Sequence, residues 1–272
     1  MKDKISLAGD LGSGKSTVSE IIIKKTGAEY YSTGAIVRSI ARERGMSVVE
    51  LNKYMETHPE IDREIDDGLK ALSNVDRFMI IDSRMAWNFV KDTFKVYLST
   101  DPETSAARIM NAKRDCEHAC TLKDTILQTH ERKASEKKRY LEQYGVDIKD
   151  LFNYSLIIDT TYATAEEVAD RILFSFEEWK TNRGYRMVYI SPERLNYPDD
   201  SDTEEALALS GRLELGEVIP EVTVFENDGE FYVAGGAECA MAYALSEHTF
   251  VPARLVRDPG ANKAFIKMKN SL

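Results

Sequence analysis

Residues Gly9-Asp10-Leu11-Gly12-Ser13-Gly14-Lys15-Ser16-Thr17 constrain this chain more than any other stretch, because they fit G-x-x-x-x-G-K-[ST], a phosphate-binding loop. The flanking residues suit such a loop. Ile5-Ser6-Leu7-Ala8 reads as a buried strand before it, and Val18 to Lys25 reads as a helix that ends at Gly27. Strand, glycine loop and helix in that order aim backbone N–H groups and a helix N-terminus at one anion. Lys15 then reaches the β- and γ-phosphates of a nucleotide, and the Ser16 hydroxyl ligates Mg²⁺. Gly9, Gly12, Ser13, Gly14 and Thr17 complete the cradle. A glycine-rich turn matching by chance is the bland alternative, and the strand and helix around the motif argue against it.

The 272 residues suffice for one large domain or two modest ones. No run of 18 apolar residues occurs, so no membrane-spanning segment is expected. Met1-Lys2-Asp3-Lys4 leads straight into the first strand, which leaves no room for a signal peptide. Three cysteines do not make a disulfide framework and suit a reducing cytoplasm, the expected location. The formal net charge of −10 is uneven: residues 183–272 carry 9 Lys and Arg against 15 Asp and Glu. Neither part has the basic balance of a nucleic-acid binder, and no nucleic-acid partner is expected.

Short apolar runs alternate with helical stretches through the first two thirds, the pattern of an α/β domain with a parallel sheet and helices on both faces. The expected strands are Ile5–Ala8, Glu29–Ser32, Phe78–Asp82, Lys95–Leu98 and Leu156–Asp159. Each ends near polar or small residues, where ligands gather in such sheets. Glu103–Lys113 reads as a helix begun by Asp101-Pro102. Glu166–Lys180 reads as an amphipathic one, with Val168, Ile172, Leu173 and Phe176 on one face. Thr181-Asn182-Arg183-Gly184 has the composition of a linker, so two domains are expected, over 1–182 and 185–272. In the second, Met187–Ile190 is strand-like, and Val222–Phe225 and Phe231–Val233 flank Asn227-Asp228-Gly229, a hairpin signal. Gly235-Gly236 precedes a helical run, Ala237–Leu245, and Val251–Val256 reads as a last strand.

A phosphate loop alone does not separate a small-molecule kinase from a GTPase or a motor ATPase. The arginines narrow the choice. Arg132 and Arg139 lie seven residues apart on an expected helix and so face the same way. Arg108 and Arg114 lie upstream, around the polar segment from Asn111 to Thr125. Phosphoryl transfer spreads charge over several oxygens, and guanidinium groups match that geometry. Arg38, in a helix after Tyr31-Ser32-Thr33-Gly34, and Arg84, after the strand ending at Asp82, are candidates for the acceptor side. For each, a solvated surface arginine is the alternative. Asp82 either holds Mg²⁺ through water or caps a helix. No histidine is placed as a base, and an acceptor phosphate, with a second pKa of about 6, needs none.

These residues together resemble the cytidylate kinases, in the short form common in archaea, over about the first 180 positions. The resemblance runs through Gly9–Thr17 and then Ser32-Thr33-Gly34-Ala35-Ile36-Val37-Arg38. It continues in Gly45-Met46-Ser47 with Pro59 to Asp66, Ser83-Arg84-Met85-Ala86, Arg132 to Tyr140, Tyr144 to Ile148, and Ile158-Asp159-Thr160. It implies a nucleoside monophosphate kinase fold and transfer of the ATP γ-phosphoryl group to CMP or dCMP, with Mg²⁺. Carried over by position, Thr33, Gly34, Arg38 and Arg84 bind the acceptor. Arg114, Arg132 and Arg139 join Lys15 around the transferring group, and Arg108 lies near the donor adenine. Two segments depart from the family pattern: Asp82-Ser83 stands where an acidic residue and glycine are expected, and Asp67-Gly68-Leu69 lacks basic and amide side chains. Both touch the acceptor pocket.

Cys116 and Cys120, with His118 and His130, make one close pair with only histidines to complete it. Structural zinc prefers two such pairs, so no zinc site is read here. Residues 187–257 resemble a degenerate ParB/sulfiredoxin-type domain through Ile190 to Leu195, the hairpin, and Gly236-Ala237-Glu238-Cys239-Ala240-Met241-Ala242. Cys239 stands where that family has a phosphate-binding arginine, and it reads as a small buried residue rather than a reactive thiol. The leading expectation is an ATP-dependent nucleoside monophosphate kinase with a small accessory domain. The alternatives are a nucleotide-binding switch acting on a protein partner through the C-terminal domain, and a kinase for another small metabolite; the C-terminal domain is also the candidate surface for self-association.

Overall fold

All six residues of β1 (Lys4–Gly9) are buried, as befits the central strand of a parallel sheet covered on both faces. The protein is described by a computed structural model over residues 3–112, 121–258 and 264–267. β1 lies between β3 (Met79–Asp82) and β4 (Phe94–Ser99); β2 (Glu29–Ser32) flanks β3, and β5 (Leu156–Asp159) flanks β4, all parallel. The register pairs Leu7 with Asp82, Ser32 with Asp82, Gly9 with Leu98 and Ser99 with Asp159. One edge of the sheet therefore collects the last residues of every strand, where ligands bind in this class of fold.

The period-2 alternation sorts each strand onto two cores. On one face, Ile5, Leu7, Phe94, Val96 and Ile158 pack under α1 (Lys15–Thr26) and α8 (Ala165–Thr181), which contribute Val18, Ile22, Ile172, Phe176 and Trp179. On the other, Ala8, Tyr97, Tyr154 and Ile157 begin a cluster that continues through Val188, Ile190, Val224, Phe231 and Ala240. Between β2 and β3 the chain makes three helices: α2 (Thr33–Glu43), α3 (Val48–Met55) and α4 (Pro59–Ala71). Ser47 and Glu50 close a reciprocal capping box at the start of α3. Ala41, Val48, Leu51, Met55, Ile61 and Ile65 give this group its own small core. The short α5 (Ala86–Phe89) follows β3, and α6 (Pro102–Asn111) follows β4 with Asp101 as its cap. The 23-residue α7 (Leu122–Tyr144) then runs back against α3.

The sheet continues past β5. β6 (Met187–Ile190) pairs parallel with β5, setting Ile158 opposite Tyr189. Beyond it follow β10 (Val251–Leu255), β8 (Val222–Asn227), β9 (Glu230–Gly235), β7 (Leu195–Pro198) and β11 (Phe265–Lys267), in that order across the sheet. Residues 182–186 turn directly from α8 into β6, tied by Asn182, whose side chain accepts from Gly184 N and whose carbonyl accepts from Tyr185 N. α9 (Thr203–Glu214) and α10 (Ala237–Leu245) pack on each other beside this half of the sheet. The region whose composition marks it off thus shares both the sheet and a core with the rest. The expected hairpin forms around Asp228 and Gly229, both at positive φ. Among the described residues, no helix is long and apolar enough to cross a membrane.

Candidate active site

The glycine loop hangs between β1 and α1 at the carboxyl edge of the sheet. Two of its glycines are sterically required. Gly9 has φ 150°, and a Cβ there would collide with the Leu98 carbonyl; Gly12 has φ 71°, and its Cβ would stand 2.5 Å from Ser105 O. Lys15, the first residue of α1, folds back over the loop: its Nζ donates to Asp10 O at 2.6 Å and Gly9 O at 3.1 Å. Burial pulls its pKa down to about 8, with Arg84 and Arg132 adding to the effect while Asp82 and Asp10 oppose it. Lys15, Arg84, Arg132 and Asp82 therefore share one electrostatic neighbourhood.

Glu136 on α7 organises the arginines. It forms an ion pair with Arg84 Nε through one carboxylate oxygen and with Arg132 Nε, at 3.1 Å, through the other. Burial works to raise the Glu136 pKa, but Arg84, Arg132 and Arg139 outweigh it and hold the carboxyl below its ordinary range. Arg132 and Arg139 are both buried on this side of α7, at 8 % and 4 % exposure. They diverge in what they meet. Arg139 reaches the helical insert, with Nε 2.7 Å from Asp62 Oδ2 and an N–H donated to Asn52 O at 3.1 Å. Arg114 lies outside the described residues, as do Cys116, His118 and Cys120.

Asp82 ends β3 and caps no helix. Its Oδ2 accepts from Tyr30 OH at 3.0 Å and Ser32 Oγ at 3.5 Å, while Ser32 itself caps α2. Tyr30 also interacts with the Ser16 hydroxyl, and burial and Asp82 push its pKa up to about 12. Ser16 and Asp82 thus offer oxygen donors around one point, a set that fits a hard divalent cation such as Mg²⁺. Thr33 and Gly34 open α2. Arg38, one turn on, is half-buried, and its guanidinium approaches Gly34, where an added Cβ would meet it at 3.4 Å.

Arg108 lies on the other side of the loop. It donates to Thr160 O at 2.7 Å, Thr160 Oγ1 at 3.1 Å and Thr161 O at 3.3 Å. With Gly12, Gly14, Thr17, Ala163 and Val168 it lines a cleft of about 460 Å³ beside the phosphate loop. Burial lowers the Arg108 pKa, with Asp101 and Asp159 opposing.

Several residues emerge only in three dimensions. Asp10, a free position in the motif, is 8 % exposed and accepts from Lys149 Nζ at 2.6 Å, Tyr97 OH at 3.2 Å and Thr100 N at 3.3 Å; Lys133 Nζ stands 3.1 Å away. Burial works to raise its pKa, but Lys149 and Lys133 together hold the carboxyl well below the usual range. Cys239 is 4 % exposed, and burial pushes its thiol pKa up, with Glu238 adding to the effect, as suits a packing residue.

A family model described as an AAA domain matches residues 5–121. The cytidylate kinase of Thermoplasma volcanium is 38 % identical over 187 residues, spanning 67 % of this chain and 95 % of that one. That of Archaeoglobus fulgidus is 35 % identical over 175 residues, 64 % of this chain and 94 % of its own. That of Pyrococcus abyssi is 37 % identical over 166 residues, 60 % and 88 % respectively. About one third of the chain lies outside these matches. With a glycine loop on a parallel sheet, helices on both faces and near-complete coverage of these relatives, the chain is a P-loop nucleoside monophosphate kinase and belongs to the cytidylate kinase family.

Proposed function

We propose that this kinase transfers the γ-phosphoryl group of ATP to CMP or dCMP. The observation that carries the reading is the gathering of Lys15, Arg84 and Arg132 beside the glycine loop, with Glu136 as the shared counter-ion of the two arginines. An acceptor phosphate entering from the α2–α4 side meets Arg38 and Arg84, whose guanidinium groups suit two phosphate oxygens each. Arg84 then exchanges the Glu136 carboxylate for the substrate. The donor phosphates lie in the loop, where Lys15 turns from the backbone carbonyls to the β- and γ-oxygens. Arg132, with Arg114 and Arg139 as further candidates, neutralises charge on the phosphoryl group in flight. The acceptor oxygen is already ionised near neutral pH, so alignment and charge neutralisation supply the catalysis and no base is required. Ser16 and Asp82 would hold Mg²⁺, which supplies charge neutralisation on the donor phosphates. The cleft walled by Arg108 and Thr160 is the proposed seat of the donor adenine.

Support for a cytosine acceptor comes from the similarity to the three cytidylate kinases named above. Residues 185–272 are proposed as an accessory unit of ParB/sulfiredoxin type in a cytoplasmic enzyme. The turn at Gly236 (φ 72°), which starts α10, supports that reading, while Cys239 leaves the unit without a phosphate-binding arginine. Isothermal titration of CMP, dCMP, UMP, AMP and GMP against the full chain tests the acceptor assignment. CMP or dCMP should bind at least about tenfold more tightly than the rest, a difference near 1.4 kcal/mol. Equal affinities would remove the cytosine preference.

A further inference from the structure

Arg194 belongs to the C-terminal third and is buried at 4 % exposure. Its two terminal nitrogens are committed to the hairpin: one donates to Glu230 Oε1 at 3.2 Å, the other to Gly229 O at 3.0 Å. Its Nε makes no hydrogen bond among the described residues and faces Asp159 Oδ1 at 3.8 Å. Asp159, the last residue of β5, is fully buried. It is held from both halves of the chain: Oδ1 accepts from Thr161 Oγ1 at 2.6 Å and Thr161 N at 3.2 Å, and Oδ2 from Ser191 N at 3.3 Å.

What Asp159 fixes is the wall of the donor cleft. Thr161 Oγ1 in turn accepts from Asp101 N at 3.2 Å, and Asp101 caps the helix that carries Arg108. Thr160 Oγ1 lies 3.2 Å from Ser13 O in the phosphate loop, and the Thr160 carbonyl accepts from Arg108. Both sides of the cleft thus hang from one buried carboxylate, and a cation of the C-terminal region stands against it. Burial already raises the Asp159 pKa against the pull of Arg194; without that cation the carboxylate either takes up a proton or draws in other partners, and either change disturbs the bonds that hold Thr161 and the turn after it.

We propose that Arg194 is a positioning residue for the donor nucleotide, acting through Asp159 on the Thr160–Ala163 turn. The inference rests on the assignment of the Arg108–Thr160 cleft to ATP. It gives the C-terminal region, which falls beyond the part shared with the cytidylate kinases, a defined task in the kinase reaction. The acceptor side, formed by Thr33, Gly34, Arg38 and Arg84 across the loop, makes no hydrogen bond or ion pair with this network among the described residues and should not respond.

The test uses the full chain with Arg194→Ala, Arg194→Lys and Glu230→Gln. ATP and CMP affinities are read by isothermal titration, KM for each substrate by initial rates, and folding by circular dichroism. Arg194→Ala should raise the Kd and KM for ATP roughly five- to tenfold, within the range for residues that act on a ligand without touching it, and leave both constants for CMP within twofold. Arg194→Lys should restore most of the loss. Glu230→Gln loosens Arg194 without removing it and should shift ATP in the same direction by roughly two- to threefold; it decides the matter if Arg194→Ala does not fold. A folded Arg194→Ala protein with wild-type ATP affinity, or with ATP and CMP weakened alike, overturns the proposal. Titration separates it from the functional reading. A wild-type chain that binds ATP and shows the Arg194 effect but leaves CMP unphosphorylated would sink the latter alone. One that binds no ATP would sink both.

Discussion

Lys149 Nζ lies 2.6 Å from Asp10 Oδ1, so a lysine 139 residues downstream anchors the second residue of the phosphate loop. Lys133 joins it from α7 at 3.1 Å. The loop is therefore fixed from outside by charge as well as by its glycines.

Asp10→Asn should destabilise the protein by roughly 1–3 kcal/mol near neutral pH, the cost of losing charge-assisted bonds at a buried site. The pKa of Asp10 is depressed in the folded state, so its contribution is present above the unfolded carboxylate pKa of 3.8 and is lost as pH falls through the folded value. Denaturant melts of both proteins should show a gap at pH 7 that narrows below about pH 4. A gap independent of pH would mean that the lysine pairs contribute nothing.

Lys15→Ala should abolish phosphoryl transfer, by at least about a hundredfold, while leaving the melting curve close to wild type. The pKa near 8 adds a second expectation. ATP binds the charged lysine, so above about pH 8 binding must take up a proton, and affinity should fall by up to roughly tenfold per pH unit. Lys15→Arg, always charged, should flatten that dependence even if it transfers poorly. Titration of ATP between pH 7 and 9.5 reads both.

Arg38→Ala and Arg84→Ala should each weaken CMP by about 1.5–3 kcal/mol, roughly tenfold to 150-fold in Kd, and change ATP affinity far less. Weakened ATP with unchanged CMP would reverse the assignment of donor and acceptor sides.

A chain ended after Asn182 should still phosphorylate its nucleotide, because the residues assigned to phosphate chemistry precede that point. It should melt at least about 5 °C lower, since β5 loses its partner β6, and Tyr189 and Phe250 leave the cluster around Trp179. Its KM for ATP should rise with the loss of Arg194. A well-folded truncation without activity would place part of the active site in residues 185–272.

The local signals were legible because they are local. Glu29–Ser32, Leu156–Asp159, Met187–Ile190 and Ala237–Leu245 form over the expected residues, since alternation, caps and glycines act within a few positions. The glycine loop was readable for the same reason. Spacing placed Arg132 and Arg139 on one face of α7 but not the neighbours that face would meet, so the reach of Arg139 to Asp62 and Asn52 was hidden. Glu136 lies between Arg132 and Arg139 in the sequence, and nothing at short range marks it as the counter-ion of Arg84 and Arg132. The role of Asp10 depends on Lys133 and Lys149, and the joining of β6 to β5 on a pairing across α8; neither leaves a trace at short range.

The most direct measurement is the initial rate of nucleoside diphosphate formation by the full chain, with ATP as donor and each ribo- and deoxynucleoside monophosphate as acceptor. The account predicts CDP or dCDP as the fastest product, with the rate lost in Lys15→Ala. Fast transfer to a different monophosphate would overturn the cytosine acceptor. ATP binding without transfer to any monophosphate would contradict the kinase itself.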